Sequence, residues 1–317
     1  MRALVLGAGS IGSRHARNLA RAGVEVVVHD PDGARVSALV AEGVATAVDD
    51  RTAAQADLAI VATPTAQHVE DLRWGLERGM HVFVEKPLGA TRRDLESARA
   101  LMAGAGGRAV MVGCNLRFTE GFRLLAKEVG EAGRLLSVEA AFGWHLPSWR
   151  PDADYRRSYS ASRAMGGGVI LDAIHEVDYV LSLAGPVAAV SAAWRNSGAL
   201  EIDVEDVAEL TLAHAGGVLS HIHLDYLQPA YTRWCRATAT DATVTWDYAA
   251  GCVRRLQPGR VEVLADGLDQ DANAMYVAEL DHFLAAVQDG SPTLNDLPTA
   301  VAALDVALTA LEKGAPG

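Results

Sequence analysis

The chain has 317 residues, 50% of them apolar and 21% charged, with a formal net charge of −12. That is the composition of a soluble chain able to bury the cores of two ordinary domains, and its acidic balance argues against nucleic acid or an anionic membrane as a general partner, whose phosphates it would repel. Cys114, Cys235 and Cys252 are odd in number, widely spaced and without a CxxC pair, and no apolar run is long enough to span a bilayer, so disulfide scaffolds, zinc knuckles and membrane insertion are not expected and a reduced cytoplasm is.

In chain order, the first third alternates short apolar runs with amphipathic stretches. Strands are predicted at 3–6, 25–29, 58–61, 80–84 and 109–112, and helices at 11–22, 35–42, 67–78 and 92–103, the last capped by Thr91 and Asp94. The chain opens directly into the first of these strands, so export is not expected. This βαβ alternation predicts a doubly wound parallel sheet of the Rossmann kind. After Thr119 the rhythm changes. A helix over 120–129 and a strand near 136–142 lead into a polar, aromatic and arginine-rich stretch over 143–163, and Gly166-Gly167-Gly168 then opens a helix reaching about residue 184. From 187 to 264 successive antiparallel strands are predicted, closed by helices over 274–287 and 298–312. The expected organisation is an α/β dinucleotide-binding domain over 1–118 and an α+β domain over 119–317 with a large, mostly antiparallel open sheet, the last helix being able to pack back on the first domain.

Gly7-Ala8-Gly9-Ser10-Ile11-Gly12 is a G-x-G-x-x-G placed directly after the first strand and at the start of the first helix. The first glycine permits the tight turn, the second lets backbone approach a pyrophosphate, and the third lets helix pack on strand. The N–H groups at the helix start, those of Ser10 and Ile11 among them, then bind the anion. Asp30 ends the second strand, where a carboxylate accepts hydrogen bonds from the adenosine ribose. With Asp32 close behind and no arginine expected nearby, a ribose 2′-phosphate is disfavoured, so NAD is expected over NADP.

Lys86 stands in Glu85-Lys86-Pro87 at the end of the apolar run 80–84, and is one of three lysines in a chain that otherwise uses arginine. The proline holds the residue before it extended, at a strand end where ligands of open parallel sheets bind. A lysine there anchors a phosphate or polarises a reacting oxygen.

With these residues goes a wider set: Ala62-Thr63-Pro64 with His68, Gly79-x-His81-Val82 leading into Glu85-Lys86-Pro87, and Gly166-Gly167-Gly168 leading to Asp172, His175 and Asp178. In their order and spacing the chain resembles the Gfo/Idh/MocA family, the glucose-fructose oxidoreductase and inositol dehydrogenase relatives, over nearly its whole length. The resemblance implies that Lys86 is the active-site lysine at the edge of the cofactor site, that Glu85 and Pro87 shape its strand end and the cofactor pocket, and that Thr63, Pro64 and His68 line the cofactor. It implies that Asp172 and His175 are the substrate-side acid and histidine, one residue closer together than usual. If both lie on one helix, offsets of three and four share a face. It further implies a homodimer or homotetramer formed through the second domain's open sheet.

Oxidising a secondary alcohol requires loss of the hydroxyl proton as hydride leaves the same carbon. His175 has the side-chain chemistry to take that proton near neutrality while Lys86 stabilises the alkoxide and Asp172 orients the imidazole. Alternatively Lys86 is the base and His175 its hydrogen-bond partner. Asn115 and Arg117, and Trp149, Tyr155, Arg156 and Arg157 in the aromatic and arginine-rich stretch, are expected to contact substrate, since such residues stack on sugar faces and pair with phosphate. The segments 154–161 and 172–179 are also similar to a sugar-nucleotide or amino-sugar branch of the family. His221, His223 and Asp225 share one strand face, but nothing else in the sequence completes a ligand set, so no metal is expected. The expected activity is an NAD-dependent dehydrogenase or ketoreductase of a nucleotide- or phosphate-linked sugar. The alternatives are a free sugar or cyclitol dehydrogenase, an NAD-retaining glycosidase, and a cofactor-binding regulator.

Overall fold

The computed structural model describes residues 1–104 and 106–314. The chain divides into two compact units, Met1–Cys114 with Tyr276–Val301, and Asn115–Met275 with Ala302–Gly317. The first unit therefore contains a segment that returns from near the end of the chain, in addition to its N-terminal stretch.

The N-terminal stretch runs β1 (Arg2–Leu6), α1 (Ser10–Arg21), β2 (Glu25–His29), α2 (Gly33–Ala41), β3 (Thr46–Ala47), β4 (Leu58–Val61), α3 (His68–Glu77), β5 (His81–Glu85), α4 (Arg92–Met102) and β6 (Val110–Gly113). Its six strands are ordered β3-β2-β1-β4-β5-β6 and all neighbours are parallel. Helices cover both faces of such a sheet, which is why the strands read as unbroken apolar runs; Leu58, Ala59, Ile60 and Val61 are all fully buried. The short β3 was not visible in the sequence, because two residues carry no alternation. Thr91 and Asp94 form the reciprocal cap expected at the start of α4. Strand order reverses at β1, so the crevice beyond the ends of β1 and β4 is the ligand position of this architecture. The returning segment completes the edge at β6: Val112 N–H donates to the Asn295 carbonyl at 2.9 Å, Asn295 Nδ2 to the Val112 carbonyl at 2.9 Å, and Thr293 Oγ1 to the Val110 carbonyl at 2.7 Å.

The second unit contains α5 (Glu120–Gly130), β7 (Leu135–Gly143), α6 (Val169–Asp172), α7 (Ile174–Ala184), β8 (Val187–Arg195), β9 (Val207–His214), β10 (Leu219–Asp225), β11 (Thr232–Ala239), β12 (Thr243–Asp247), β13 (Cys252–Gln257) and β14 (Arg260–Ala265). Two further helices, α8 (Ala274–Asp289) and α9 (Leu297–Lys313), close the chain. The eight strands are ordered β14-β13-β12-β11-β7-β10-β9-β8. Every pair is antiparallel except β7 with β10, which is parallel. One face of this sheet is covered by α5 and α7, with Phe122, Tyr179 and Trp246 packed at ring separations of 5.5 to 5.9 Å. The opposite face carries the polar residues of the alternating strands.

The glycine run has a steric cause. A Cβ on Gly167 would lie 2.2 Å from the Tyr159 carbonyl oxygen, and one on Gly168, whose φ is +108°, would lie 2.3 Å from a Glu205 carboxylate oxygen. The helix predicted to run on to residue 184 is interrupted: Ala173 (φ −93°, ψ 32°) separates α6 from α7, so Asp172 ends one helix and His175 begins the next. The expectation that both lie on one continuous helix is corrected accordingly.

Glu205 is 1% exposed and accepts the Ile170 N–H at 3.1 Å, and burial pushes its carboxyl up to about 7. Between the ordinary carboxyl range and that value the folded protein keeps a proton that the unfolded chain releases, so this group's contribution to stability declines as pH rises through the interval. Glu205→Gln retains an acceptor for Ile170 and should flatten the decline, by up to about 3 kcal/mol at neutral pH. Thermal melts of both proteins across the interval test this, and parallel curves would contradict it.

Candidate active site

In the first unit the phosphate-binding turn is built by close backbone packing. A Cβ on Gly7 (φ +92°) would lie 2.5 Å from the Ala62 carbonyl oxygen, and one on Gly12 would lie 1.9 Å from the Gly7 carbonyl oxygen. Over Gly9 the nearest atom is Arg35 Nη1 at 3.9 Å, so the space above the start of α1 is open. The first turn of α1 holds no acidic residue and Gly9 offers no side-chain cap, which leaves the N–H groups at Ser10 and Ile11 to an incoming anion. These residues fit a dinucleotide pyrophosphate.

Asp30 accepts the Ala8 N–H at 2.6 Å and the Asp32 N–H at 2.7 Å, so it braces the glycine turn from the end of β2. The expectation of no arginine nearby is corrected. Arg35, on α2, places Nε 3.1 Å from Asp32 Oδ2 and Nη1 3.9 Å from Asp30 Oδ2. Two carboxylates against one guanidinium still leave an excess of negative charge where a 2′-phosphate would sit.

After β4, Thr63 Oγ1 donates to Asp71 at 2.7 Å, and Asp71 is paired in turn with Arg51, whose guanidinium lies over Trp74. Pro64 leads into a single turn of 3₁₀ helix, Thr65–Gln67. His68, 2% exposed, places Nε2 2.8 Å from the Thr63 carbonyl oxygen and Nδ1 2.8 Å from the Pro87 carbonyl oxygen. It thereby joins the turns that follow two neighbouring strands.

At the end of β5 the Lys86–Pro87 bond is cis. Glu85 is buried beside it, with Oε1 2.7 Å from His15 Nε2 and Oε2 accepting the Lys86 N–H at 3.2 Å. The sequence reading missed His15. It is fully buried on the inner face of α1 with Gly12, Ala16 and Leu19, and a histidine on a buried apolar stripe is the signal that could have found it, since such a ring needs a buried partner. Phe83 and Tyr276 meet its ring at centroid distances of 5.1 and 6.3 Å, and Arg14 covers Tyr276 at 4.4 Å.

In the second unit Asp172 gathers hydroxyl groups. It accepts hydrogen bonds from Tyr159, from Ser160 at 2.7 Å and from Tyr226 at 3.1 Å, while only 5% exposed. His175 is buried in the first turn of α7. Asn115 is buried in the turn Asn115–Phe118, and Arg117, in the same turn, lies 3.9 Å from Asp178 Oδ1. Trp149 stacks on Trp144 at 5.5 Å and donates Nε1 to its carbonyl at 3.2 Å. The Tyr155 hydroxyl accepts the Glu201 N–H at 3.2 Å. Arg156 is bound at 2.8 Å to Asp154 and at 3.3 Å to Glu201, so its charge is met within the protein, whereas Arg157 is exposed. The buried pair Arg233–Glu176, at 2.8 Å with the guanidinium over Phe142, was not foreseen.

On the open sheet face, His223 lies 2.8 Å from Asp225 and 2.6 Å from Glu209, and His221 lies 3.1 Å from Glu209. Hydrogen bonding to Asp225 and Glu209 raises His223 to about 9. Among the described residues, no group of three or more His, Cys, Asp or Glu is arranged to hold a metal ion, and no helix is long and apolar enough to cross a membrane.

A parallel sheet in Rossmann order with an open phosphate cradle at its switch point defines a dinucleotide-binding protein. The chain belongs to the Gfo/Idh/MocA family: residues 1–114 match the model of the oxidoreductase family's NAD-binding Rossmann fold, and residues 126–245 match that of the GFO/IDH/MocA C-terminal domain. It is 32% identical over 243 residues to a protein of Amycolatopsis mediterranei named as a UDP-kanosamine synthase oxidoreductase subunit, covering 69% of this chain and 66% of that one, just under two thirds of the relative's length. The crystal structure of GenD2 from gentamicin A biosynthesis in complex with NAD is 25% identical, with a TM-score of 0.83 over 99% of this chain and 94% of that one. A myo-inositol dehydrogenase from Corynebacterium glutamicum is 26% identical, with a TM-score of 0.80 over 99% and 96% of the two chains. The enzyme is a dehydrogenase and its cofactor is NAD.

His15→Ala would leave Glu85 buried with one oxygen unpartnered and a void beside it, at a cost of about 3 kcal/mol. His15→Gln carries a donor to the same oxygen and should cost clearly less. Denaturant titration of the two variants checks this ordering; equal losses would mean that volume alone matters.

Proposed function

We propose that the enzyme transfers hydride between NAD and a secondary alcohol or ketone of a sugar carried on a nucleoside diphosphate or phosphate. The observation that carries this reading is Lys86, a lysine at the end of a parallel strand whose backbone N–H is fixed by buried Glu85. When bound, NAD supplies the hydride acceptor or donor. Lys86 stabilises the oxygen that gains negative charge as the alcohol loses its proton. His175 takes that proton in oxidation and returns it in reduction. Asp172, which accepts hydrogen bonds from the Tyr159 and Ser160 hydroxyls, orients the imidazole or holds a neighbouring sugar hydroxyl in this reading. Thr63 and His68 hold the cofactor-side turns through their bonds to Asp71, Thr63 and Pro87.

The phosphate-linked substrate is supported by the name of the relative from Amycolatopsis mediterranei and by exposed Arg157, which neighbours an Arg156 already neutralised by Asp154 and Glu201. A free sugar or cyclitol is the second reading, favoured by the likeness to the myo-inositol dehydrogenase. We also propose that the polar open face of the eight-stranded sheet joins copies of the chain into a dimer or tetramer.

Lys86→Ala should lower kcat about a hundredfold or more while NADH affinity stays within a few-fold, measured by fluorescence titration. Full turnover in that variant would remove the mechanism. For substrate class, NADH formation is followed with nucleotide sugars, sugar phosphates, free sugars and inositols. On a phosphate-bearing substrate Arg157→Ala should raise KM about tenfold and Arg156→Ala much less, with kcat held in both; equal KM values in all three proteins would point to the unphosphorylated substrates.

A further inference from the structure

The hydrogen-bond count at His68 has one consistent solution. Both ring nitrogens face backbone carbonyl oxygens at 2.8 Å, Nε2 towards Thr63 and Nδ1 towards Pro87, and a carbonyl oxygen only accepts. A neutral imidazole has one N–H. It would satisfy one carbonyl and set the lone pair of its second nitrogen against the lone pair of the other. Only the imidazolium, with a proton on each nitrogen, meets both. Burial by itself disfavours a charged ring and pulls the pKa of His68 down. The two carbonyls and the carboxylates of Asp71, on the same helix, and Glu85, on β5, oppose burial without overcoming it, so the pKa is lowered on balance, and the hydrogen-bond count stands against that direction. Of these, Asp71 is also paired with Arg51, and Glu85 is bound to His15.

His15 offers the contrast within the same unit. Its Nε2 faces a carboxylate oxygen of Glu85, while its Nδ1 is buried with no hydrogen-bond partner among the described residues. A single N–H satisfies it, and a second would be stranded. Two buried histidines on either side of the Lys86 turn thus have opposite requirements.

We propose that His68 is a buried imidazolium at neutral pH, a positioning residue whose two N–H groups fasten the turn after β4 to the Lys86–Pro87 turn after β5 and so set the place of Lys86. Loss of one proton breaks one of the two links. The Thr63 and Pro87 turns are then free to move relative to each other, and the lysine loses its fixed setting. The enzyme therefore has an alkaline limit that comes from this ring. The structural part of the proposal stands without any assignment of substrate; the activity part rests on the reading of Lys86 as the substrate-side charge.

The test is nitrogen NMR of the full chain carrying ¹⁵N-labelled histidine, with the His68 ring assigned through bonds to its own backbone so that no variant has to fold. At neutral pH His68 should show two protonated ring nitrogens. A bare nitrogen on His68 at neutral pH would overturn the proposal, whatever the activity data show. In the activity arm, His68→Gln, whose amide nitrogen reaches one carbonyl while its oxygen cannot donate to the other, should lower kcat by about tenfold or more. The alkaline limb of kcat should lose the component whose midpoint matches the His68 titration seen by NMR. A kcat profile unchanged in shape and height would refute the positioning role even with the imidazolium observed. If Lys86→Ala is fully active while the His68 nitrogens are both protonated, the reading of Lys86 fails and the charge assignment stands.

Discussion

A polar atom buried at a strand end has to find its complement inside the protein, and the residues around Lys86 are arranged by that requirement. Glu85 cannot be buried beside a lysine without donors, so α1 supplies His15 and the chain supplies the Lys86 N–H. The carbonyls of Thr63 and Pro87 turn away from solvent, so α3 begins with a histidine that reaches both. Each partner sits on an element that also has a cofactor duty. The helix that bears His15 begins at the phosphate cradle, and the turn that His68 holds includes the Ala62 carbonyl against which Gly7 packs. Cradle and lysine turn are therefore parts of one hydrogen-bonded construction, and a change in either is felt by the other.

The second unit solves a similar problem with carboxylates. Asp172 satisfies its oxygens with three hydroxyls from Tyr159, Ser160 and Tyr226, which pins the aromatic and arginine-rich stretch to the end of α6. Glu205 binds the Ile170 N–H and occupies the space that a side chain at Gly168 would need. The glycine run is thus a consequence of how closely that stretch, α6 and Glu205 approach each other.

Features encoded locally could be read from the sequence. The strand and helix alternation of the first unit, the glycine cradle, the cap at Thr91 and the strand-end position of Lys86 all depend on residues within a few positions of one another, where periodicity and turn chemistry speak directly. Most of what escaped depends on partners far apart in the chain. His15 and Glu85 are separated by 70 positions, and neither is unusual alone. Arg35 reaches Asp32 because α2 turns it back, a geometry that begins only once Asp32 caps the helix. Arg156 is met first by Asp154, two positions away, a pairing that the local reading had in view and did not draw, and then by Glu201, 45 positions away. The parallel pairing of β7 with β10 likewise lies outside any pattern of alternation, which is the same for parallel and antiparallel neighbours when one face is covered.

The edge of the first sheet at β6 is sealed by Thr293 and Asn295, which are made after residues 115–275, the greater part of the second unit. On the ribosome, the nucleotide-binding sheet must wait with that edge open until the last part of the chain has emerged. A nascent chain of this design is exposed to strand addition for most of its synthesis, and a product released early would keep a sticky edge. Completion of the polypeptide is thereby built into the completion of its cofactor domain.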